Sequence, residues 1–279
     1  MNSSNQAPIV YVSGSFDDLR TTDIRFLEEA SKLGEVHVLL YSDASALLLE
    51  LRQVKFPLDE REYFLQHIRF VSHVIIIEPD NVDTIPLPTG KDHARSAYWV
   101  VREKDANDKK AEFCACNGMT LSIIPDDSLA GFALENTPAS NNSAKRVMVS
   151  GCFDWVHSGH VRFFEEASQF GNLYVVIGHD DNLRLLKGEG HPLFSQEERR
   201  YWVQSIRSVH STLISSGHGW LDAEPEILTY QPDFFVVNHD GHKPEKQALC
   251  EKLGIEYVVL ERKPKEGLKA RESSQLRGF

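Results

Sequence analysis

The sequence predicts an α/β protein made of two tandem domains, each with a parallel β-sheet covered by helices. Three observations predict it: the chain repeats itself, apolar segments alternate with helical patterns, and a glycine-containing turn follows a strand in the second copy. Continuous apolar strands that alternate with helices are typical of sheets covered on both faces. With 279 residues, 41 % of them hydrophobic, the chain is long enough for two ordinary domains.

The repeat is visible as matched residues at an offset of 137 positions. Gly14 and Asp17 of the first copy match Gly151 and Asp154 of the second. Further matches, at offsets of 136 to 138, join Arg25 with Arg162, Gly34 with Gly171, Arg61 with Arg199 and Gly118 with Gly254. An offset that drifts so little over the copy indicates a duplicated domain.

A linker is predicted between the two copies. Residues 131–144 are rich in Asn, Ser, Pro and Thr and show little apolar periodicity. The predicted domains are therefore 1–130 and 145–279, each close to a common domain size.

The second copy alternates strand and helix patterns along its length. Strands are predicted at 146–149, 173–177, 212–214, 234–237 and 257–260. Helices are predicted at 160–170 and at 196–209, where Trp202, Val203 and Ile206 recur at helical spacing. This order predicts a doubly wound, Rossmann-like sheet with its ligand site beyond the carboxyl ends of the strands.

The turn after the first strand of this copy carries the pattern of a phosphate site. Gly151 and Gly159 allow the backbone to approach a ligand, and the following helix begins with free N–H groups that suit phosphate. His157 and His160 are three residues apart, so both can lie on one side of the first helical turn and donate hydrogen bonds to phosphate oxygens.

The segment Gly151-Cys-Phe-Asp154-Trp-Val-His157-Ser-Gly159-His160 resembles the GxFDxxHxGH signature of the cytidylyltransferase family, within the HxGH nucleotidyltransferases. A second block, from Lys187-Gly through Pro192 to Glu198-Arg199, is similar to that of the ethanolamine-phosphate cytidylyltransferases, which are also tandem repeats. The resemblance covers the second copy and, more weakly, the first.

The resemblance implies a role for each matching position. It implies that His157, His160, Lys187 and Arg199 are catalytic residues that contact phosphate groups. It also implies a nucleotide-binding set: Gly151, Cys152, Phe153, Asp154, Gly159, Asn238, Asp240, Ser273 and Ser274. The competing interpretations are structural: Lys187 as a solvated lysine, Arg199 as an arginine paired within its helix, and Asp154 as a capping residue. The final block departs from the family pattern, because Glu272 stands where a hydroxyl residue is usual.

The reaction implied by the resemblance is transfer of CMP from CTP to a phosphorylated alcohol, such as phosphoethanolamine, with Mg²⁺ on the nucleotide and release of pyrophosphate. Such a product serves phospholipid or surface-polymer synthesis. Two alternatives remain open: an ATP-dependent adenylyltransferase, and a non-catalytic nucleotide-binding regulator.

The first copy lacks the features of this site. Arg20 and Asp23 stand where the second copy has His157 and His160, and Thr22 replaces Gly159. A carboxylate at position 23 would repel phosphate, so the first copy is predicted to be a degenerate, non-catalytic domain.

Composition and net charge indicate which partners and which cellular compartment to expect. The net charge of −11 disfavours sequence-independent binding to nucleic acid. There is no apolar segment of membrane-spanning length and no visible secretory signal. The four cysteines lack the spacing of a metal site, so no protein metal site is expected and the thiols fit a reducing cytoplasm. The expected oligomeric state is a monomer or a homodimer.

Overall fold

The computed structural model describes residues 7–86, 96–132 and 143–276, so most of the predicted linker at 131–144 lies outside the described residues. The chain divides into two compact units, Met1–Gly131 and Phe132–Phe279. Within the described residues, no helix combines the length and the apolar character needed to cross a membrane.

The first unit contains a five-stranded sheet in the order β3-β2-β1-β4-β5, with every pair of strands parallel. Its strands are β1 (Ile9–Gly14), β2 (Glu35–Tyr41), β3 (His73–Ile77), β4 (Ala97–Arg102) and β5 (Thr120–Ile124). Its helices are α1 (Thr21–Ser31), α2 (Asp43–Glu50), α3 (Leu58–His67) and α4 (Asp108–Cys116).

The second unit contains a five-stranded parallel sheet in the order β10-β9-β6-β7-β8. Its strands are β6 (Arg146–Gly151), β7 (Asn172–Ile177), β8 (Val209–Ile214), β9 (Phe234–Asn238) and β10 (Glu256–Leu260). Its helices are α5 (Ser158–Ala167), α6 (Asp180–Lys187), α7 (Gln196–Gln204), α8 (Glu224–Tyr230), α9 (Pro244–Leu253) and α10 (Ser273–Leu276).

The two units have the same topology. In each, the first strand lies at the centre of the sheet, the second and third extend to one side, and the fourth and fifth to the other. The central strands are buried on both faces, as the apolar residues Val147, Met148 and Val149 of β6 show. The predicted fold class, two tandem Rossmann-like doubly wound parallel sheets, is confirmed.

A glycine with an unusual backbone leads into the second strand of each unit. Gly171 has a φ of 151°, and a Cβ placed on it would lie 2.2 Å from the backbone oxygen of Lys145. Gly34 has a φ of 158° and would meet the backbone oxygen of Pro8 at the same distance. Both matched glycines of the repeat therefore allow the chain to pass directly against the start of the central strand.

The predicted helix at 196–209 is wrong at its carboxyl end, because α7 stops at Gln204. The Ser205 hydroxyl donates to the Tyr201 carbonyl at 2.9 Å, and the Ser205 N–H donates to the Tyr201 and Trp202 carbonyls. This closes the last turn, and β8 begins at Val209 instead of Thr212. Val203 and Ile206 are buried as their spacing predicted.

Candidate active site

The candidate site lies at the carboxyl end of the second unit's sheet, between β6 and β9. The strand order reverses at this point, because β6 pairs with β7 on one side and with β9 on the other. Open α/β sheets bind ligands at such reversals. A cleft of about 710 Å³ lies here, lined by the turn after β6, the first turn of α5, the end of α6 and part of α9.

The turn after β6 is held in a strained conformation by packing. Phe153 has a positive φ of 48°, and its buried ring contacts the rings of Phe164 and His160 at centroid distances of 5.1 and 5.3 Å. A Cβ on Gly151 would lie 2.8 Å from the Phe153 ring, so only glycine leaves room for it. The Phe153 ring therefore packs against the His160 ring and also lines the cleft.

Asp154 connects this turn to the loop before α7. The carboxylate is buried, and its Oδ1 accepts hydrogen bonds from the N–H groups of Leu193 at 2.7 Å and Phe194 at 3.2 Å. A buried carboxylate with such partners fixes the loop in place, so Asp154 acts on the site through the backbone.

The two signature histidines are stacked at the start of α5. Their ring centroids are 3.9 Å apart at an interplanar angle of 30°. His157 Nδ1 accepts the Gly159 N–H at 3.1 Å, and His160 Nδ1 accepts the His157 N–H at 3.3 Å. Because both Nδ1 atoms are acceptors, a neutral ring carries its proton on Nε2, which remains to donate to a ligand.

The surroundings keep both rings neutral. Burial, followed by the charges of Arg262 and Arg271, lowers the pKa of His157 to about 3. Burial, then His157, Arg262 and Lys187, lowers the pKa of His160 well below its usual value. At neutral pH the rings are therefore uncharged donors, while the positive charge near them comes from arginine and lysine side chains.

The cationic side chains of the cleft come from three segments. Lys187 is exposed at the end of α6, Lys246 extends from α9, and Arg262 follows β10. Arg262 is held in place by an ion pair with Asp240 and by donating to the Arg271 carbonyl at 2.8 Å. These cations suit an anionic ligand beside the histidines.

Arg199, which was predicted to contact phosphate, does not line the cleft. Its side chain is 1 % exposed and is absent from the lining of the cleft. The guanidinium donates to three backbone carbonyls and one carboxylate: Phe194 at 3.0 Å, Cys152 at 2.5 Å, Gly178 at 2.7 Å and Asp180 Oδ1 at 2.8 Å. With its donors engaged in this way, Arg199 fixes the turn after β6, and Arg262 is the arginine that lines the cleft.

The other predicted nucleotide-binding residues lie around the same cleft. Cys152, Gly159, Asn238, Asp240 and Ser273 all line it. Ser273 Oγ donates to the Trp155 carbonyl at 3.1 Å, which ties the start of α10 to the turn before α5. The side chain of Ser274 lies outside the described residues.

In the first unit, carboxylates accept hydrogen bonds from the turn after β1 and from the start of α1. Glu50 accepts the N–H of Ser15 at 3.1 Å and its hydroxyl at 2.8 Å. Asp23 accepts the Arg20 N–H at 2.7 Å and also pairs with Arg102. In the described part of the second unit, no carboxylate accepts from the N–H of Cys152, the residue that matches Ser15.

Two cationic residues that line the cleft, Lys246 and Arg262, were not among the predicted site residues. Arg262 follows the last predicted strand, 257–260, where the carboxyl end of the sheet was expected to carry the ligand site. Lys246 had no such indication, because the helix that carries it was not predicted.

Comparison with known proteins places the second unit in a family. Residues 148–276 match the model of the family described as cytidylyltransferase-like. The FAD synthase of Archaeoglobus profundus is 32 % identical over 124 residues, which cover 43 % of this chain and 76 % of the relative. The FAD synthase of Ferroglobus placidus is 30 % identical and is covered over 85 % of its length. The bifunctional protein HldE of Haemophilus ducreyi is 33 % identical over 134 residues, but the match covers only 27 % of that protein.

Among solved structures, the lipopolysaccharide core biosynthesis protein of Thermoplasma volcanium is 23 % identical, with a TM-score of 0.38. The match covers 44 % of this chain and all of that one. Neither the two FAD synthases nor HldE is named as an ethanolamine-phosphate cytidylyltransferase, so that finer likeness stays a prediction. On the family match and the extent of the FAD synthase relatives, the chain belongs to the cytidylyltransferase-like family of HxGH nucleotidyltransferases.

Proposed function

We propose that the second unit transfers a nucleotidyl group from a nucleoside triphosphate to the phosphate of a small phosphorylated acceptor. The observation that carries the proposal is the stacked pair of neutral imidazoles at the start of α5, with Lys187 and Arg262 in the same cleft. Neutral Nε2–H donors and fixed cations can stabilise negative charge without reorganising during the reaction.

The chemistry requires little covalent participation by the protein. An oxygen of the acceptor's phosphate attacks the α-phosphorus of the nucleotide, a new P–O bond forms, and the bond from Pα to the bridging oxygen of Pβ breaks. Pyrophosphate leaves with the electron pair of that bond. His157, His160 and Lys187 would bind the oxygens that gain charge, and the N–H groups at the start of α5 would add further donors.

Mg²⁺ would enter with the nucleotide and neutralise the departing pyrophosphate. Among the described residues, no three or more His, Cys, Asp or Glu side chains come together as metal ligands, so we assign no protein residue to it. In this proposal the ion is held by phosphate oxygens of the substrate.

We propose CTP as the first candidate nucleotide and ATP as the second. CTP rests on the signature and on the block from Lys187 to Glu198. ATP rests on the FAD synthase relatives, whose named product contains an adenine nucleotide. We also propose that the first unit is a non-catalytic copy, because Asp23 and Glu50 occupy its anion positions.

Pyrophosphate release by the full chain tests the proposal. CTP and ATP would each be supplied with Mg²⁺ and a panel of phosphorylated alcohols and sugars. The test compares the wild type with His160→Ala and with Asp23→Ala, the variant at the matching position of the first unit. We expect release with one nucleotide and at least one acceptor, lost in His160→Ala and kept in Asp23→Ala.

Two results would oppose the proposal. Activity that survives His160→Ala would remove the histidine pair from the chemistry. Nucleotide binding without release for any pair of substrates would favour the non-catalytic regulator.

A further inference from the structure

A third histidine lines the cleft of the second unit. His191 lies in the loop between α6 and α7, four residues after Lys187, and both side chains line the cleft. The His191 side chain is 23 % exposed, so part of its imidazole is accessible from the cleft. The reaction proposed above gives this histidine no role.

The buried carboxylate of Asp154 lies against the His191 ring. Its Oδ2 is 3.7 Å from His191 Nδ1, within ion-pair distance, whereas its Oδ1 accepts the N–H groups of Leu193 at 2.7 Å and Phe194 at 3.2 Å. One oxygen of this carboxylate therefore fixes the loop and the other faces the imidazole. An ionised carboxylate only accepts hydrogen bonds, so Nδ1 carries the proton of the ring, and Nε2 is the ring atom that can contact a ligand in the cleft.

The first unit keeps the loop contact but has no imidazole at this position. Asp17, which matches Asp154, accepts the N–H groups of two successive residues of its own loop at 2.8 and 2.9 Å. At an offset of 138 positions the same alignment places Gln53, an exposed residue, where the second unit has His191. Fixing the loop is therefore common to both units, whereas the carboxylate–imidazole pair accompanies the signature histidines of the second unit.

The surroundings of the His191 ring suit a phosphate group. The ring shares the cleft with the ammonium group of Lys187 and with the stacked imidazoles of the signature. A protonated imidazole donates from both of its nitrogens, and negative charge close to the ring stabilises that form. With a carboxylate at Nδ1 and a phosphate oxygen at Nε2, the ring would make a charge-assisted contact on each side.

We propose that His191 is a further substrate-contacting residue of the second unit, whose Nε2–H donates to a phosphate oxygen of the bound substrates while Asp154 orients its ring. The inference rests on the proposed function, because the phosphate is that of the nucleotide or of the acceptor. Binding then takes up one proton from the solvent onto Nε2. Asp154 is the positioning residue of this pair, through the oxygen that does not bind the loop.

Nuclear magnetic resonance of the histidine ring nitrogens in the full chain tests the contact, because their chemical shifts report which nitrogen carries a proton. The His191 signals are identified by their absence in His191→Phe. CTP with Mg²⁺, ATP with Mg²⁺ and glycerol 3-phosphate would be added singly and in pairs. We expect Nε2 of His191 to become protonated with at least one of them. The additions that produce this change distinguish a nucleotide phosphate from an acceptor phosphate, and His210 on β8, which does not line the cleft, should not respond.

A double-mutant cycle separates the two tasks of Asp154. In Asp154→Asn the amide oxygen can still accept the two loop N–H groups, while an NH₂ group replaces the oxygen that faces His191. We expect His191→Phe to weaken equilibrium binding of the responding phosphate compound about 10-fold or more, as loss of a hydrogen bond to a charged group predicts. Asp154→Asn should weaken binding in the wild-type background and add little in His191→Phe. Gln53→Ala, at the matching position of the first unit, should leave binding unchanged.

The inference is overturned if the His191 ring responds to none of these compounds. It is also overturned if Asp154→Asn weakens binding equally with and without His191. Failure of the proposed function has a different signature, namely a response of His191 to the phosphates without pyrophosphate release from any pair of substrates. If His157 and His160 respond and His191 does not, the inference alone fails.

Discussion

Replacing Arg199 by methionine tests whether this arginine supports the fold of the site or contacts phosphate. The substitution removes the donors to the carbonyls of Phe194, Cys152 and Gly178 and the partner of the Asp180 carboxylate. Truncating one partner of a buried, hydrogen-bonded ion pair costs about 3–5 kcal/mol. For a unit of this size, such a loss lowers the melting temperature by about 10 °C.

Hydrogen exchange read by mass spectrometry is the assay, because it reports the two units separately. We expect Arg199→Met to lower protection of amides in β6, α6 and β7, with turnover falling as the turn after β6 loosens. The matched control is Arg61→Met. Arg61 makes the same contacts in the first unit, with Phe56 O at 3.0 Å, Ser15 O at 2.6 Å, Tyr41 O at 3.0 Å and Asp43 at 2.6 Å.

Arg61→Met should lower protection in the first unit and leave turnover intact. If Arg199→Met instead kept full protection in the second unit and abolished turnover, Arg199 would act directly on substrate. The structural role given to it here would then be refuted.

Further substitutions test His157, Gly171 and Asp154. The pKa of His157 is about 3 in the folded chain. As the pH falls, the unfolded chain therefore takes up a proton at this residue before the folded chain does. The free energy of unfolding should therefore fall as the pH drops from 6.5 towards 3, and His157 alone should account for a loss of about 2 kcal/mol at pH 5. Urea unfolding of His157→Gln should show a smaller decrease over the same pH range. Gly171→Ala should destabilise the second unit by about 2 kcal/mol or more, measured by urea unfolding, because its Cβ would meet the Lys145 oxygen; a neutral result would contradict the described turn. Asp154→Ala should speed amide exchange at Leu193 and Phe194 more than elsewhere, and uniform exchange would argue against its orienting role.

The sequence allowed the topology to be predicted because two independent signals agreed. The repeat required both copies to share one architecture, and the apolar strands required a covered parallel sheet. Together they predicted the position of the ligand cleft, and the signature predicted the residues at its centre. The end of α7 was missed because buried Ile206 continues the apolar spacing of the helix, although its N–H already donates to the Val203 carbonyl, three residues back, instead of following the four-residue pattern of an α-helix.

The place of Arg199 could not be predicted from its position alone. The carbonyls it binds, Cys152 and Gly178, are 47 and 21 residues away, and only the folded chain brings them together. The repeat did contain a usable signal. The first copy retains Arg61 and Asp17 but lacks both histidines, so the arginine and the aspartate maintain the fold in both units, and the chemistry proposed above is assigned to the histidines.

Lys246 illustrates a second limit. A lysine in a helix that begins with Pro244 is typical of a solvent-exposed face, and nothing nearby in the sequence marks it as part of a site. Its place in the cleft, 3.3 Å from the hydroxyl of Ser150, 96 residues earlier, depends on the pairing of β6 with β9.

If only the second unit binds the nucleotide, as proposed, the full chain has one nucleotide site, and the stoichiometry of binding measures this. Titration of the full chain with CTP and with ATP in the presence of Mg²⁺ should show one site per chain for the preferred nucleotide. That site should be lost in His160→Ala and kept in Asp23→Ala. Two sites per chain, or binding that survives His160→Ala and is lost in Asp23→Ala, would contradict it.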